Sequence, residues 1–541
     1  MEILVLVAGA ALLTALCRQR GWPAPLVLVA AGLVVSFVPG VPRFVVHPEL
    51  ILELVLPPLL FSAALTSSYQ DFRRSLNSIT RLGVGLVLVS ALAVALVAWL
   101  LVPDLPFAAA LVLGAVVAPP DAVAAAAVGR RLGLPRRVMT LLTGESLIND
   151  ATSLTLYKVA LAGVATGAWS LAAGLKVFAV AVLAGVGVGL VLGWLLHQLR
   201  MRLDDPVVAS AIGVLTPFAA YWCAEAIEGS GVLAVVAAGL FLAHTSPRAG
   251  YATRLYQEPV WSTVDLLLEA FTFALIGVQL KWLIADVNAS DQGLGHAVVV
   301  ALVVLATAML VRPLYVVATS RMDRVRMRGS HRTADDALTG KESLVVSWAG
   351  MRGVVTLAAA AAIPVVLAGE VFPERATLQL VAYTVAIGTL LLQGLTLPWV
   401  IRRLGVGSQA EKERDAIQEA QVRLDTAEAA QAVIARRRPE IAARVGDHVA
   451  DEVTSRVITA LGVRAQAAAA LLDPNHDDEH PSIPEIGLRQ QALRREVIAA
   501  QRDVLVARRD SGELDEVVMQ RVLRELDLEE ERMSASWVNR L

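Results

Sequence analysis

Gly144-Glu145-Ser146-Leu147-Ile148-Asn149-Asp150 puts two carboxylates, an amide and a hydroxyl into an otherwise apolar segment. These are hard oxygen donors, and two of them titrate, so the stretch can hold either a hard cation or a proton. A charge near the middle of a membrane helix costs about 2.5–3.5 kcal/mol on insertion scales, which asks for a reason beyond packing. At helical spacing Glu145 and Asn149 share one face, and Ser146 and Asp150 share the next. A helix-start capping cluster is the competing account. Arg136 and Arg137 mark the polar edge of the segment, however, which sets Asp150 roughly 20 Å further along at helical rise.

A second carboxylate sits in Ala118-Pro119-Pro120-Asp121-Ala122. Two consecutive prolines remove two backbone donors and break a helix. At membrane depth such a break is tolerated only against protein or a water-filled cavity, and a carboxylate at the break suits an ion site near the midplane. Two arginines are similarly placed, in Arg312-Pro313 and in Gly350-Met351-Arg352-Gly353, both within apolar runs. Arginines at that depth need carboxylate partners, and the glycines around Arg352 point to a second irregular helix.

The elements that carry these residues are membrane helices. The chain of 541 residues is 56% hydrophobic and only 18% charged, against about 25% charged in a soluble domain. With about 20 apolar residues needed per crossing, the pattern predicts about 13 spans. They lie near 2–17, 24–39, 49–66, 81–102, 107–128, 138–162, 171–198, 207–228, 230–246, 258–284, 294–318, 340–368 and 376–402. Basic residues cluster after alternate spans: Arg18 and Arg20, Arg73 and Arg74, Arg130 to Arg137, Arg200 and Arg202, Arg248 and Arg254, then Arg321 to Arg332. The positive-inside rule then places the N-terminus outside and the C-terminal tail in the cytoplasm of a bacterial-type plasma membrane. Residues 2–17 carry Glu2 in place of a basic leader and read as a retained first helix.

Beyond residue 403 the composition turns solvated and helix-forming, so the chain divides into a membrane domain, 1–403, and a helical cytoplasmic tail, 404–541. Tail helices are expected over 409–436 and near 440–472, 486–509 and 514–534. Asp473 to Pro481 reads as a loop, whose His476 and His480 are better taken as linker than as metal ligands. Cys17 and Cys223 are too few for a disulfide framework or a thiolate metal site. Phosphate loops, nucleophile elbows and His-rich clusters, which would argue for an enzyme, do not occur, no cofactor is implied, and nothing points to a nucleic-acid partner. Among the remaining polar residues, Glu225 reads as a rim residue or a solvated helix end. Glu342 beside Lys341 reads as a surface pair, Tyr157 and Trp348 as packing residues, and Glu269, Asp265 and Glu53 have no evident role.

Ala118-Pro119-Pro120-Asp121, the Gly144 to Asp150 string and Arg352-Gly353 together resemble the sodium/proton exchanger family, the monovalent cation:proton antiporters with an Asn-Asp pair, in its bacterial NhaP-like branch. Leu56-Pro57-Pro58-Leu59-Leu60-Phe61 and Gly229-Ser230-Gly231-Val232-Leu233-Ala234 also look like segments of that family, and the likeness covers essentially residues 1–403. The resemblance implies two inverted repeats with broken crossing helices, a homodimer, and exchange of Na+, K+ or Li+ for H+. Asp150 would be the main cation and proton carboxylate, with Asp121, Ser146 and the backbone carbonyl near Pro120 completing the site. Asn149 would brace the broken helix, Glu145 would pair with Arg312, and Arg352 would stabilise the second crossing helix. A neutral Asn149 implies electroneutral one-for-one exchange. Two departures bear on selectivity: Pro120-Asp121-Ala122 stands where many members have Thr-Asp-Pro, and Ser62 where many have Glu. A cation channel or an ion or pH sensor on the same fold is the alternative. The tail reads as regulatory from its length and helical character.

Overall fold

The computed structural model describes residues 2–39, 53–167, 171–203, 205–246, 251–288, 293–327, 338–407 and 409–455, and beyond them 458, 496–505, 507–508, 511, 522–523, 526 and 528. The chain forms two units, Met1–Ser408 and Gln409–Leu541. The first begins with α1 (Glu2–Arg20), α2 (Ala24–Ser36), α3 (Leu56–Leu65), α4 (Tyr69–Arg74) and α5 (Leu76–Thr80), which runs through a π-helical turn at Arg81–Leu86 into α6 (Val87–Leu101). Next come α7 (Phe107–Val117), α8 (Ala122–Leu132), α9 (Arg136–Thr166), α10 (Leu171–Arg200), α11 (Pro206–Glu225), α12 (Gly231–Thr245), α13 (Tyr251–Asn288) and α14 (Gly293–Met327). The unit closes with α15 (Gly340–Trp348), α16 (Val354–Ala361), α17 (Arg375–Thr389), a second π-helical turn at Leu390–Gly394, and α18 (Leu395–Leu404).

Among the described residues, seven helical stretches are long and apolar enough to cross a membrane by length and composition: Ile3–Arg20, Leu76–Leu101, Lys176–Arg200, Val207–Glu225, Leu255–Asn288, Gly293–Met322 and Arg375–Leu404. Their outer faces stay apolar and exposed, as at Leu96, Leu183, Val191, Leu302 and Leu314, which suits a lipid solvent. Shorter apolar helices, among them α2, α3, α7 and α12, pack inside this set.

Without a hydrophobic drive between helices in lipid, close packing rests on small residues. The α2–α13 crossing shows this. A Cβ on Gly32 would meet the Ala274 carbonyl oxygen at 2.5 Å, and one on Gly277 would overlap the Val29 carbonyl. The two backbones touch, so neither position accepts a side chain.

Three expectations are corrected. The segment 340–368 breaks between α15 and α16, where the glycines around Arg352 predict an irregularity, but it ends at Ala361 and not near 368. Pro364 has no N–H to continue it, and a two-residue hairpin follows, with Val366 facing Val371 and Leu367 facing Glu370. Its turn residues, Ala368 and Gly369, both have positive φ (53° and 88°), as a type I′ turn requires. Second, Glu342 is no surface pair. It is 4% exposed, accepts the Thr339 backbone N–H in a capping box, and pairs with Arg137 at 2.7 Å. Third, the first tail helix does not stop near 436: α19 (Gln409–Val445) continues through Pro439 to a left-handed Gly446. In this second unit Arg423 pairs with Glu419 one turn away, and Arg438 reaches Asp451. The loop with His476 and His480 lies outside the described residues, as do most of 459–495 and 512–541.

Substituting Gly277→Val should force α2 and α13 apart, at about 1–3 kcal/mol of strain, and lower the melting temperature in detergent. Gly295→Ala, in open space on α14, should leave it unchanged. Scanning fluorimetry of the purified variants reads both.

Candidate functional site

Two interrupted helices meet at their breaks. The α7–α8 pair is open over Ala118–Asp121 and the α15–α16 pair over Ala349–Gly353. The Asp121 backbone N–H donates to the Met351 carbonyl at 2.5 Å, tying one open segment to the other. Gly353 is required at this crossing, because a Cβ there would overlap the Asp121 carboxylate.

Each break leaves carbonyls at the end of a half-helix, and these are the negative ends of short dipoles. Two buried guanidinium groups occupy them. Arg352, 1% exposed, donates from Nε to the Val117 carbonyl at the end of α7 at 3.2 Å. Its Nη1 donates to Gly350 at 2.5 Å and its Nη2 to Ala308 on α14 at 3.2 Å. The Arg352 backbone N–H is taken by Thr389 Oγ1 at 3.0 Å. Arg312, 2% exposed, donates from Nε to the Val346 carbonyl of α15 at 3.0 Å. Its two remaining nitrogens fork onto the Glu145 carboxylate, Nη1 to Oε1 and Nη2 to Oε2, the latter at 2.8 Å. Arginine suits both posts, since its planar fork serves several acceptors at once, three carbonyls for Arg352 and a carbonyl with a carboxylate for Arg312.

Helix α9 is the third partner. Asn149, fully buried, donates from Nδ2 to the Pro120 carbonyl at 2.8 Å, and Ser153 donates to the Ala115 carbonyl at 2.7 Å. One turn of α9 thus holds the α7 break on one side and Arg312 on the other. Asp150, 3% exposed, and Ser146 on the next face open onto a cavity of about 290 Å³. Asp121, Pro120, Gly353 and Thr356 line the same cavity, whose walls are otherwise mostly apolar. Among the described residues no lysine, arginine or histidine lines it, so Arg312 and Arg352 lie behind the wall while the carboxylates face the space. That separation leaves hard, titratable oxygens of Asp150 and Asp121 facing the space, the donor chemistry that suits a hard cation or a proton.

All eight residues singled out in the sequence therefore gather at this crossing. Asp150, Asp121, Ser146 and Pro120 line the cavity, whereas Asn149, Glu145, Arg312 and Arg352 sit behind it, bonded to helix ends or to one another. Glu269 of α13 also lines the cavity, and one turn before it Asp265 accepts a 2.6 Å hydrogen bond from Ser62. Their spacing of four on one helix was the available signal. Thr356 was passed over, since one threonine in an apolar run carries no signal of its own. At the far end of α9, Lys158 pairs with Glu225 at 2.5 Å, and Glu225 also accepts the Gly231 N–H. Tyr157 donates to the Ala362 carbonyl and Trp348 to Thr396, so each is more than a packing residue.

Removing one partner of a buried ion pair costs about 3–5 kcal/mol, because the other charge is left alone. Arg312→Met should thus lower thermal stability sharply. The double variant Arg312→Met with Glu145→Gln should recover part of the loss, read as a double-mutant cycle on the melting temperature.

Residues 4–403 match the family model described as sodium/hydrogen exchanger, transmembrane. A Mycobacterium tuberculosis protein described as an uncharacterized Na+/H+ exchanger is 32% identical over 98% of this chain and 95% of its own length. A Bacillus subtilis sodium, potassium, lithium and rubidium/H+ antiporter is 31% identical over 70% of this chain and 57% of its own. Among solved structures, the sodium proton antiporter MjNhaP1 of Methanocaldococcus jannaschii aligns with a TM-score of 0.59 at 19% identity, over 75% of this chain and 99% of that one. The chain thus belongs to the sodium/hydrogen exchanger family, as a multi-pass membrane transporter of monovalent cations and protons and not an enzyme.

Proposed function

We propose that the chain exchanges one Na+, or K+ or Li+ in its place, for one H+ at the Asp150–Asp121 pair. The observation that carries this is the shared cavity: among its described lining residues are the Asp121, Asp150 and Glu269 carboxylates and the Ser146 hydroxyl, and no basic side chain. Proton and cation compete for one pair of carboxylates, whose titration belongs to the pair as a unit. An empty, doubly charged site is costly to carry through the membrane, so the site crosses loaded with one or the other, and that coupling is antiport. The Pro120 carbonyl spends one lone pair on Asn149 and keeps a second for the cation.

The same charges set the stoichiometry. Asn149 is neutral, and Glu145 and Arg312 cancel within their pair. Exchange of one cation for one proton then moves no net charge. The membrane domain works as about 13 spans in two inverted repeats of about six, with α10 as the link and the two broken helices in corresponding positions. The N-terminus lies outside and the tail in the cytoplasm. Two copies form a homodimer, and the tail adjusts activity. The alternating cluster of arginines supports this orientation.

In proteoliposomes, cation addition should collapse an imposed pH gradient, and Asp150→Asn should abolish the response. An active Asp150→Asn variant would overturn the site. Each net charge moved is worth about 2.3 kcal/mol per 100 mV, so the rate should stay level when a potential of about that size is imposed. A steep voltage dependence would rule out one-for-one exchange.

A further inference from the structure

Thr356 stands apart from other buried threonines of the described helices. Thr152, Thr155, Thr272 and Thr389 each donate to the carbonyl four residues back, at 2.7–3.0 Å. That bond is the usual way to satisfy a hydroxyl in an apolar environment. Thr356 is as buried as these, at 1% exposed, yet among the described residues its Oγ1 has no hydrogen-bond partner. The cause is local. Helix α16 begins at Val354, so the carbonyl four residues before Thr356 is that of Arg352, inside the open segment, and no helical turn delivers it. A buried hydroxyl left unpaired costs about 1–3 kcal/mol, and valine would fill the same volume without that cost.

The position of the hydroxyl indicates its use. Thr356 lines the same cavity as Asp121 and Asp150, and with Ser146 it supplies the hydroxyls among the lining residues. It follows Gly353 by three residues, so both lie on one face of the first turn of α16, and Gly353 is where the Asp121 carboxylate packs. On the α8 side, the residue before Asp121 is Pro120, which has no side-chain oxygen to offer.

We infer that the Thr356 hydroxyl is a ligand of the transported cation, contributed by the second broken helix to the Asp121, Asp150 and Ser146 set. The inference rests on the exchange reading above and adds a specificity-determining residue to it. Its oxygen is neutral and hard, which suits an alkali cation. It adds coordination without adding charge, so affinity for the cation rises while the one-for-one charge balance is untouched. The unpaired hydroxyl is then a site waiting for its partner rather than a packing defect.

The test compares wild type, Thr356→Val, Thr356→Ser and Asp150→Asn in proteoliposomes, using whichever of Na+, K+ and Li+ the wild type exchanges best. Valine keeps the shape and removes the oxygen, whereas serine keeps the oxygen and removes the methyl. Loss of one ligand contact should raise the KM for the cation about ten-fold in Thr356→Val, with the maximal rate within about two-fold of wild type. Thr356→Ser should restore a KM close to the wild-type value. An unchanged KM in Thr356→Val, with Asp150→Asn inactive, would overturn this inference and leave the exchange site standing. Equal defects in the valine and serine variants would assign Thr356 to packing and overturn it too. Exchange that survives Asp150→Asn would overturn the parent reading, and this inference with it.

Discussion

A helix broken inside a membrane exposes carbonyls and N–H groups that lipid cannot satisfy, and everything at the centre of this structure answers that requirement. Each unsatisfied group costs several kcal/mol in hydrocarbon, and two breaks placed together multiply the demand. The answer is reciprocal. Asp121 of one break donates its N–H to Met351 of the other, while Arg352 from the second break caps the carbonyl end of the first. Arg312 and Asn149 close what remains, on α15 and at Pro120. Neither break would hold without the other, so the crossing is one unit.

Function follows from how that requirement is met. Positive charge is consumed by helix ends and by Glu145, all behind the cavity wall. Negative charge is left facing the cavity, on Asp121 and Asp150, with Glu269 beside them. Two carboxylates within six residues of one helix thus meet different surroundings: Glu145 is held by an arginine, and Asp150 faces the cavity.

Much of this was legible in the sequence because expensive residues announce themselves. Charges and paired prolines in apolar runs have few explanations, so Asp121, Glu145, Asp150, Arg312 and Arg352 stood out before any fold was known. Less visible was whatever depends on distant packing. Glu342 looked like a surface residue because Lys341 is its neighbour in sequence, but its partner is Arg137, 205 residues away. Ser62 looked like a lost acid, yet it bonds to Asp265 on a helix 203 residues on. Thr356 was silent because the property that sets it apart, a missing hydrogen bond, exists only in three dimensions. Helix ends near 361 and 445 depended on how far local order could be carried by its neighbours, which periodicity does not register.

The fork between Glu145 and Arg312 spans 167 residues of chain, and this has a consequence for how the protein is made. At about 5–20 residues per second, a ribosome needs roughly 8–33 s to go from one to the other. For that interval α9 is synthesised and the counter-ion of its buried carboxylate does not yet exist. The buried pair that ties α9 to α14 is therefore among the last contacts of the membrane domain that synthesis can complete, formed only once the second half arrives with its arginine.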